Sequence, residues 1–253
     1  MADGALAGRV ALITGGSRGI GEAIAHAYAD EGADVAIVGR DKQALEETAE
    51  GIISRGRQAH VAVTDLRDIS VLPELFDQAE SALGEITILV ANAGVQDVSP
   101  ALEVTEKAFD EQSDINLKSL FFTNQEAGRR MIERGNGGNI VNLGSTFSVV
   151  GFENFSVYCA TKAGVHLLTK SLAIEWAKHR VNVNAIGPTA TLTEMNKPLF
   201  ADEEFAAGFM PTVPAGRLPD PSDIARAAVF LAGPDADMVH GHLLLVDCGF
   251  TAH

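Results

Sequence analysis

The stretch "YCATK" sets Tyr158 and Lys162 four residues apart, a spacing that on a helix projects both side chains from one face. A free tyrosine titrates near pH 10, too high for a general base at neutral pH. A lysine ammonium beside it favours the phenolate and lowers that value, so the pair can give and take a proton. Upstream, Ser145 in "NLGSTFS" follows an apolar run, and its hydroxyl could hydrogen-bond a substrate oxygen on which charge develops. Tyr and Lys at helical spacing are nevertheless common, and alone they read as a ring packed on a lysine stem.

A second constellation is "TGGSRGIGEAIA", where Gly15, Gly19 and Gly21 stand between an apolar run and a helical one. Glycines at a strand-to-helix turn let the backbone approach a pyrophosphate, whose charge the helix N-terminus favours. Ser17, Arg18 and Ile20 fill the turn between them. The spacing is G-x3-G-x-G rather than G-x-G-x-x-G, and a tight turn with no ligand is the bland alternative. Asp65, followed by Leu66 after the third apolar run, could accept from an adenine amino group and could equally cap a helix. Asn92, Ala93 and Gly94 close the fourth run, at the edge where a parallel sheet binds ligands.

These groups need a frame. Apolar runs at 9–14, 34–39, 58–63, 86–91, 138–143, 180–186 and 242–247 predict seven strands. Periodic stretches at 19–31, 42–55, 68–83, 105–134, 155–179 and 221–232 predict helices between them. The alternation implies an α/β fold with a doubly wound parallel sheet. No linker or repeat divides residues 1–253, so one domain is expected. Residues 188–219, with Pro188, Pro198, Pro211, Pro214 and Pro219, break the alternation and predict a loop-and-helix insertion over a site.

Composition excludes several classes. With 19 Lys+Arg against 34 Asp+Glu the net charge is −15, which argues against nucleic acid or an anionic membrane as partner. No apolar run approaches the roughly 18 residues of a membrane span, and the start shows no signal-peptide pattern. Cys159 and Cys248 make neither a disulfide framework nor a zinc spacing, and the histidines form no metal motif. A cytoplasmic protein without metal fits this.

In order along nearly the whole chain, "TGGSRGIG", "NAG", Ser145 and "YCATK" resemble the short-chain dehydrogenase/reductase family. The resemblance implies a Rossmann-like seven-stranded sheet, a nicotinamide dinucleotide, and hydride transfer between a carbonyl and an alcohol. It assigns the acid/base to Tyr158, the oxygen-holding hydroxyl to Ser145, and the nicotinamide ribose to Lys162. It gives Asn116, in "SDINLKS", a water of a proton relay. Pro188, Thr191 and Thr193 would meet the nicotinamide, Thr193 at its carboxamide. Two departures stand out: Pro188-Thr189 where Pro-Gly is usual, and Asp247-Cys248-Gly249 where Asp-Gly-Gly is usual.

The second strand ends in "VAIVGRDK", so Gly39 occupies the position from which a carboxylate selects the unphosphorylated cofactor. Arg40, with Arg18, could instead bind a 2′-phosphate through charge-assisted bonds, which predicts NADP(H) with NAD(H) possible. The rival reading gives the ribose to Asp41. Phe147, Phe152 and Phe155 could line a substrate pocket or be core, and Asn154 and Gln96 are polar candidates at its rim. The insertion is similar to that of gluconate 5-dehydrogenase-like sugar-acid and polyol members. A small carbonyl or alcohol is therefore the expected substrate, with a 3-oxoacyl carrier-protein reductase, a general ketone reductase, or a non-catalytic dinucleotide-binding protein as alternatives. Helices 105–134 and 155–179 carry more apolar positions than one buried face requires, which predicts a homo-oligomer. The resemblance implies a homotetramer.

Overall fold

Ala11 and Ile13 pack into one buried cluster and Val10 and Leu12 into another, so "VALIT" is covered on both faces and belongs in the middle of a sheet. The computed structural model describes residues 4–252. Seven strands, β1 (Val10–Thr14), β2 (Asp34–Gly39), β3 (Ala59–Val63), β4 (Ile88–Ala91), β5 (Gly138–Leu143), β6 (Val181–Pro188) and β7 (Leu243–Val246), form one sheet. The order is β3-β2-β1-β4-β5-β6-β7 and every pairing is parallel. This is the expected Rossmann-like arrangement.

The helices are α1 (Gly19–Asp30), α2 (Lys42–Ser54), α3 (Leu72–Leu83), α4 (Glu106–Ser113), α5 (Leu120–Arg134), α6 (Ser156–Trp176), α7 (Lys197–Phe200), α8 (Glu203–Phe209) and α9 (Pro221–Ala232). Ile24, Leu45 and Ile224 bring α1, α2 and α9 onto one face of the sheet. Phe76, Met131 and Leu172 bring α3, α5 and α6 onto the other. Winding reverses between β1 and β4, and the crevice beyond their carboxyl ends is where such sheets take ligands.

One element differs from the sequence pattern. The stretch 105–134 is not one helix: a π turn at Asp114–Ser119 separates α4 from α5. There Asn116 bonds the backbone of Val95 in both directions, accepting from its N–H at 2.8 Å and donating to its carbonyl at 2.9 Å. Wide turns of this kind recur at functional sites. The insertion at 188–219 folds into α7, α8 and a short 3-10 turn, Met210–Thr212. Asp202 caps α8 by accepting from the N–H groups of Glu204 and Phe205. Among the described residues no helix is long and apolar enough to cross a membrane.

Candidate active site

Gly15 and Gly21 of the β1–α1 turn cannot carry side chains. Gly15 has φ +66, and a Cβ on Gly21 would lie 2.1 Å from the Gly15 carbonyl oxygen. Asn92, at the end of β4, clamps this turn: its Nδ2 donates to the carbonyls of Thr14 and Gly15 at 2.9 and 3.0 Å. Thr14 Oγ1 returns the tie by accepting from the N–H groups of Asn92 and Ala93. No side chain caps α1, so its first N–H groups stay free for an anion. A bare, rigid turn at an uncapped helix start fits the pyrophosphate of a dinucleotide.

From this turn runs a cleft of about 950 Å³. Gly15, Ser17, Arg18, Gly19, Ile20 and Gly21 line it, as do Arg40, Asp65, Leu66, Asn92, Ala93 and Gly94. Ser145, Phe147, Tyr158, Lys162, Pro188, Thr191 and Thr193 line it too.

At the β2–β3 end, Gly39 brings no carboxylate, and a Cβ there would only touch Leu45 at 3.5 Å. Asp41 is already committed: it caps α2 through the Ala44 N–H at 3.2 Å and pairs with Arg18. Among the described residues Arg40 makes no ion pair and no side-chain hydrogen bond. Asp65 lines the cleft, and its carboxylate accepts from Arg67 Nε at 3.0 Å and from the Arg67 N–H at 3.0 Å. The local cap is Asp68, accepting from Ser70 N at 3.0 Å. Arg67, which the sequence pattern did not single out, makes a third guanidinium at this end.

At the other end, β5 delivers Ser145 and α6 delivers Tyr158 and Lys162. Lys162 Nζ donates to the Leu143 carbonyl at 2.7 Å and lies 5.6 Å from the Tyr158 ring centroid. Burial pushes the Tyr158 phenol up to about 12, with the Ser145 hydroxyl pulling against it. Burial likewise brings Lys162 down to about 8. Asn116 is fully buried and does not line the cleft. It stands behind Gly94, whose added Cβ would lie 3.2 Å from Asn116 Oδ1 and 3.7 Å from Lys162 Nζ. Thr191 spends its hydroxyl on the Thr189 carbonyl at 3.1 Å. Thr193 sits across the glycine turn, 3.1 Å from where a Cβ of Gly19 would be. Thr189, standing where a glycine was expected, has a buried Oγ1 with no partner among the described residues.

Asn154 departs from its expected place. It is exposed, takes φ +66, and is absent from the cleft wall, its carbonyl instead accepting from Ser99 N at 3.0 Å. Gln96 does line the cleft. Phe147, Phe152 and Phe155 line it as well, joined by Phe200, Phe205 and Phe209 of the insertion, which the sequence reading passed over. The four-residue spacing of Phe205 and Phe209, which places both on one helix face, was the available signal.

A family model described as Enoyl-(Acyl carrier protein) reductase matches residues 15–251. The chain is 41% identical to 2-dehydro-3-deoxy-D-gluconate 5-dehydrogenase of Escherichia coli (strain K12), over 98% of this chain and 97% of that one. It is 37% identical to gluconate 5-dehydrogenase of Gluconobacter oxydans, over 97% and 96%. A crystal structure of a gluconate 5-dehydrogenase from Burkholderia cenocepacia, in complex with NADP and tartrate, superposes with a TM-score of 0.93 at 34% identity, over 98% and 97% of the two chains. Sequence, sheet order and relatives agree: the chain belongs to the short-chain dehydrogenase/reductase family.

Proposed function

We propose that the protein is an NADP(H)-dependent oxidoreductase that interconverts a carbonyl and a secondary alcohol, with Tyr158 as its acid/base. The observation that carries this is the meeting of Ser145, Tyr158 and Lys162 in the same cleft as a glycine turn built for a pyrophosphate. A bound nicotinamide dinucleotide supplies or accepts the hydride. Gly15 to Gly21 would hold its pyrophosphate, Arg40 a 2′-phosphate, Lys162 its nicotinamide ribose, and Pro188, Thr191 and Thr193 the carboxamide side. Ser145 holds the substrate oxygen by a hydrogen bond. Tyr158 gives that oxygen its phenolic proton during reduction and takes it back during oxidation. The Lys162 ammonium offsets the charge left on the phenolate. Asn116 fixes the Val95 backbone behind Gly94 and so positions the floor between substrate and lysine.

The names of the relatives support sugar acids and polyols as the first compounds to test. Reduction of a carbonyl panel, followed by loss of NADPH absorbance and repeated with NADH, tests the reading. Turnover of at least one carbonyl with NADPH preferred supports it; cofactor binding without any turnover contradicts it.

A cytoplasmic homotetramer belongs to the same proposal. Leu167 and Ile174, seven residues apart on α6, are 63% and 81% exposed, which supports an apolar face awaiting a second copy. Light scattering should report a multiple of the 26.6 kDa chain.

A further inference from the structure

Beyond Tyr158 the cleft is walled by aromatic rings. Phe147 lies edge-on to Tyr158 with centroids 6.2 Å apart and stacks on Phe152 at 5.1 Å. Phe152 meets Phe209 of α8 at 5.9 Å, and Phe209 stacks on Phe205 at 5.8 Å. One continuous run of rings therefore joins the tyrosine to the insertion. Core packing accounts for Phe209, which is 5% exposed. Phe147, Phe152 and Phe205 pack against it but keep part of their surface on the cleft wall.

The charges are distributed the other way. The cations lining the cleft are Arg18, Arg40, Arg67 and Lys162. The three arginines gather at the β2–β3 end, around Asp41 and Asp65. Lys162 is tied to the Leu143 carbonyl. Among the described residues every other charged group on the wall, including Asp97 and Glu194, is an acid. A substrate carboxylate beside the rings would lose hydration with no cation in return, in the field of a chain of net charge −15. An apolar ring or chain would lose nothing there and would gain contact with the phenylalanines.

On the basis of the function proposed above, we infer that the site prefers an uncharged ketone or secondary alcohol carrying an apolar ring or chain, seated between Tyr158 and the phenylalanine wall, over a carboxylate-bearing sugar. The test is steady-state, NADPH-linked reduction by the full chain of acetophenone, 4-methylcyclohexanone and 5-keto-D-gluconate. The expected result is a kcat/KM at least about tenfold higher for one of the uncharged ketones than for the keto acid, the scale on which apolar pockets discriminate. Phe205→Ala should raise KM for the apolar ketones more than it changes kcat. Phe205→Arg, which supplies a cation, should move the ratio towards 5-keto-D-gluconate. A wild type that reduces 5-keto-D-gluconate as well as or better than both ketones overturns this inference and leaves the oxidoreductase reading standing. NADPH binding with no carbonyl reduced at all overturns both.

Discussion

Lys162 Nζ is held 2.7 Å from the Leu143 carbonyl and 5.6 Å from the Tyr158 ring centroid, so the ammonium is anchored beside the phenol by strand β5 and not by a carboxylate. Among the described residues no acid pairs with it, and burial of the phenol outweighs the lowering expected from a lysine neighbour. The same burial brings Lys162 down to about 8 and pushes Tyr158 up to about 12.

A pH profile follows, and its sign can be worked out. Reduction needs Tyr158 protonated, which holds at every pH below about 12, and Lys162 charged, which holds only below about 8. The kcat/KM for reduction should therefore be level at neutral pH and fall as pH rises through about 8. A guanidinium keeps its charge, so Lys162→Arg should lower the level but remove the falling limb. Initial rates from about pH 6 to about 10 check this. An identical limb in both proteins would assign it to another group.

Cofactor choice rests on Arg40. Gly39 puts no carboxylate at the end of β2, and Asp41 is occupied by α2 and Arg18, which leaves Arg40 without an ion-pair or hydrogen-bond partner among the described residues. Charge-assisted bonds contribute about 1.5–3 kcal/mol, so Arg40→Ala should weaken NADPH by roughly 10–150-fold while NADH is nearly unaffected. Arg18→Ala should do less, because Asp41 already holds that guanidinium. Fluorescence titration with both dinucleotides decides the matter, and equal losses for the two would contradict the assignment.

The glycine turn predicts a contrast between two alanine substitutions. In Gly21→Ala the new methyl carbon meets the Gly15 carbonyl oxygen at 2.1 Å and Asn92 Nδ2 at 2.6 Å, neither able to yield without moving the turn. Stability should fall by about 1–3 kcal/mol, as for other overpacked sites, and dinucleotide binding should go with it. Gly151→Ala, with nothing within 4 Å, should change neither. Thermal unfolding with and without NADPH separates the two. A Gly21→Ala protein that still gains thermal stability from NADPH would mean that the turn does not hold the pyrophosphate.

What the sequence disclosed depended on how locally each feature is determined. Tyr158, Lys162 and the glycine turn were legible because each group is defined within a few consecutive residues. The seven strands were legible because burial on both faces of β1 and its neighbours leaves short continuous apolar runs. The break at Asn116 was not, since its partner Val95 is brought near only by the folded chain, and one wide turn barely disturbs a helical repeat. Asp65 has a carboxylate in the right place, but whether a ligand or Arg67 takes it is decided by side-chain reach rather than spacing. Phe147, Phe152 and Phe155 were legible as pocket candidates, but their continuation into the insertion was not: Phe147 and Phe209 lie 62 positions apart and meet through Phe152 and Phe250.

The central claim is that Tyr158 moves the proton, and Tyr158→Phe tests it with least ambiguity. The substitution keeps the ring that packs edge-on against Phe147 and Phe155 and removes only the hydroxyl. With NADPH bound beforehand and a ketone substrate added by rapid mixing, the single-turnover rate of NADPH oxidation should fall by roughly 10²–10⁴-fold, the usual contribution of a positioned acid. The NADPH dissociation constant should stay nearly unchanged. A variant that keeps a tenth or more of the wild-type rate would contradict the account, because a phenyl ring has no proton to give.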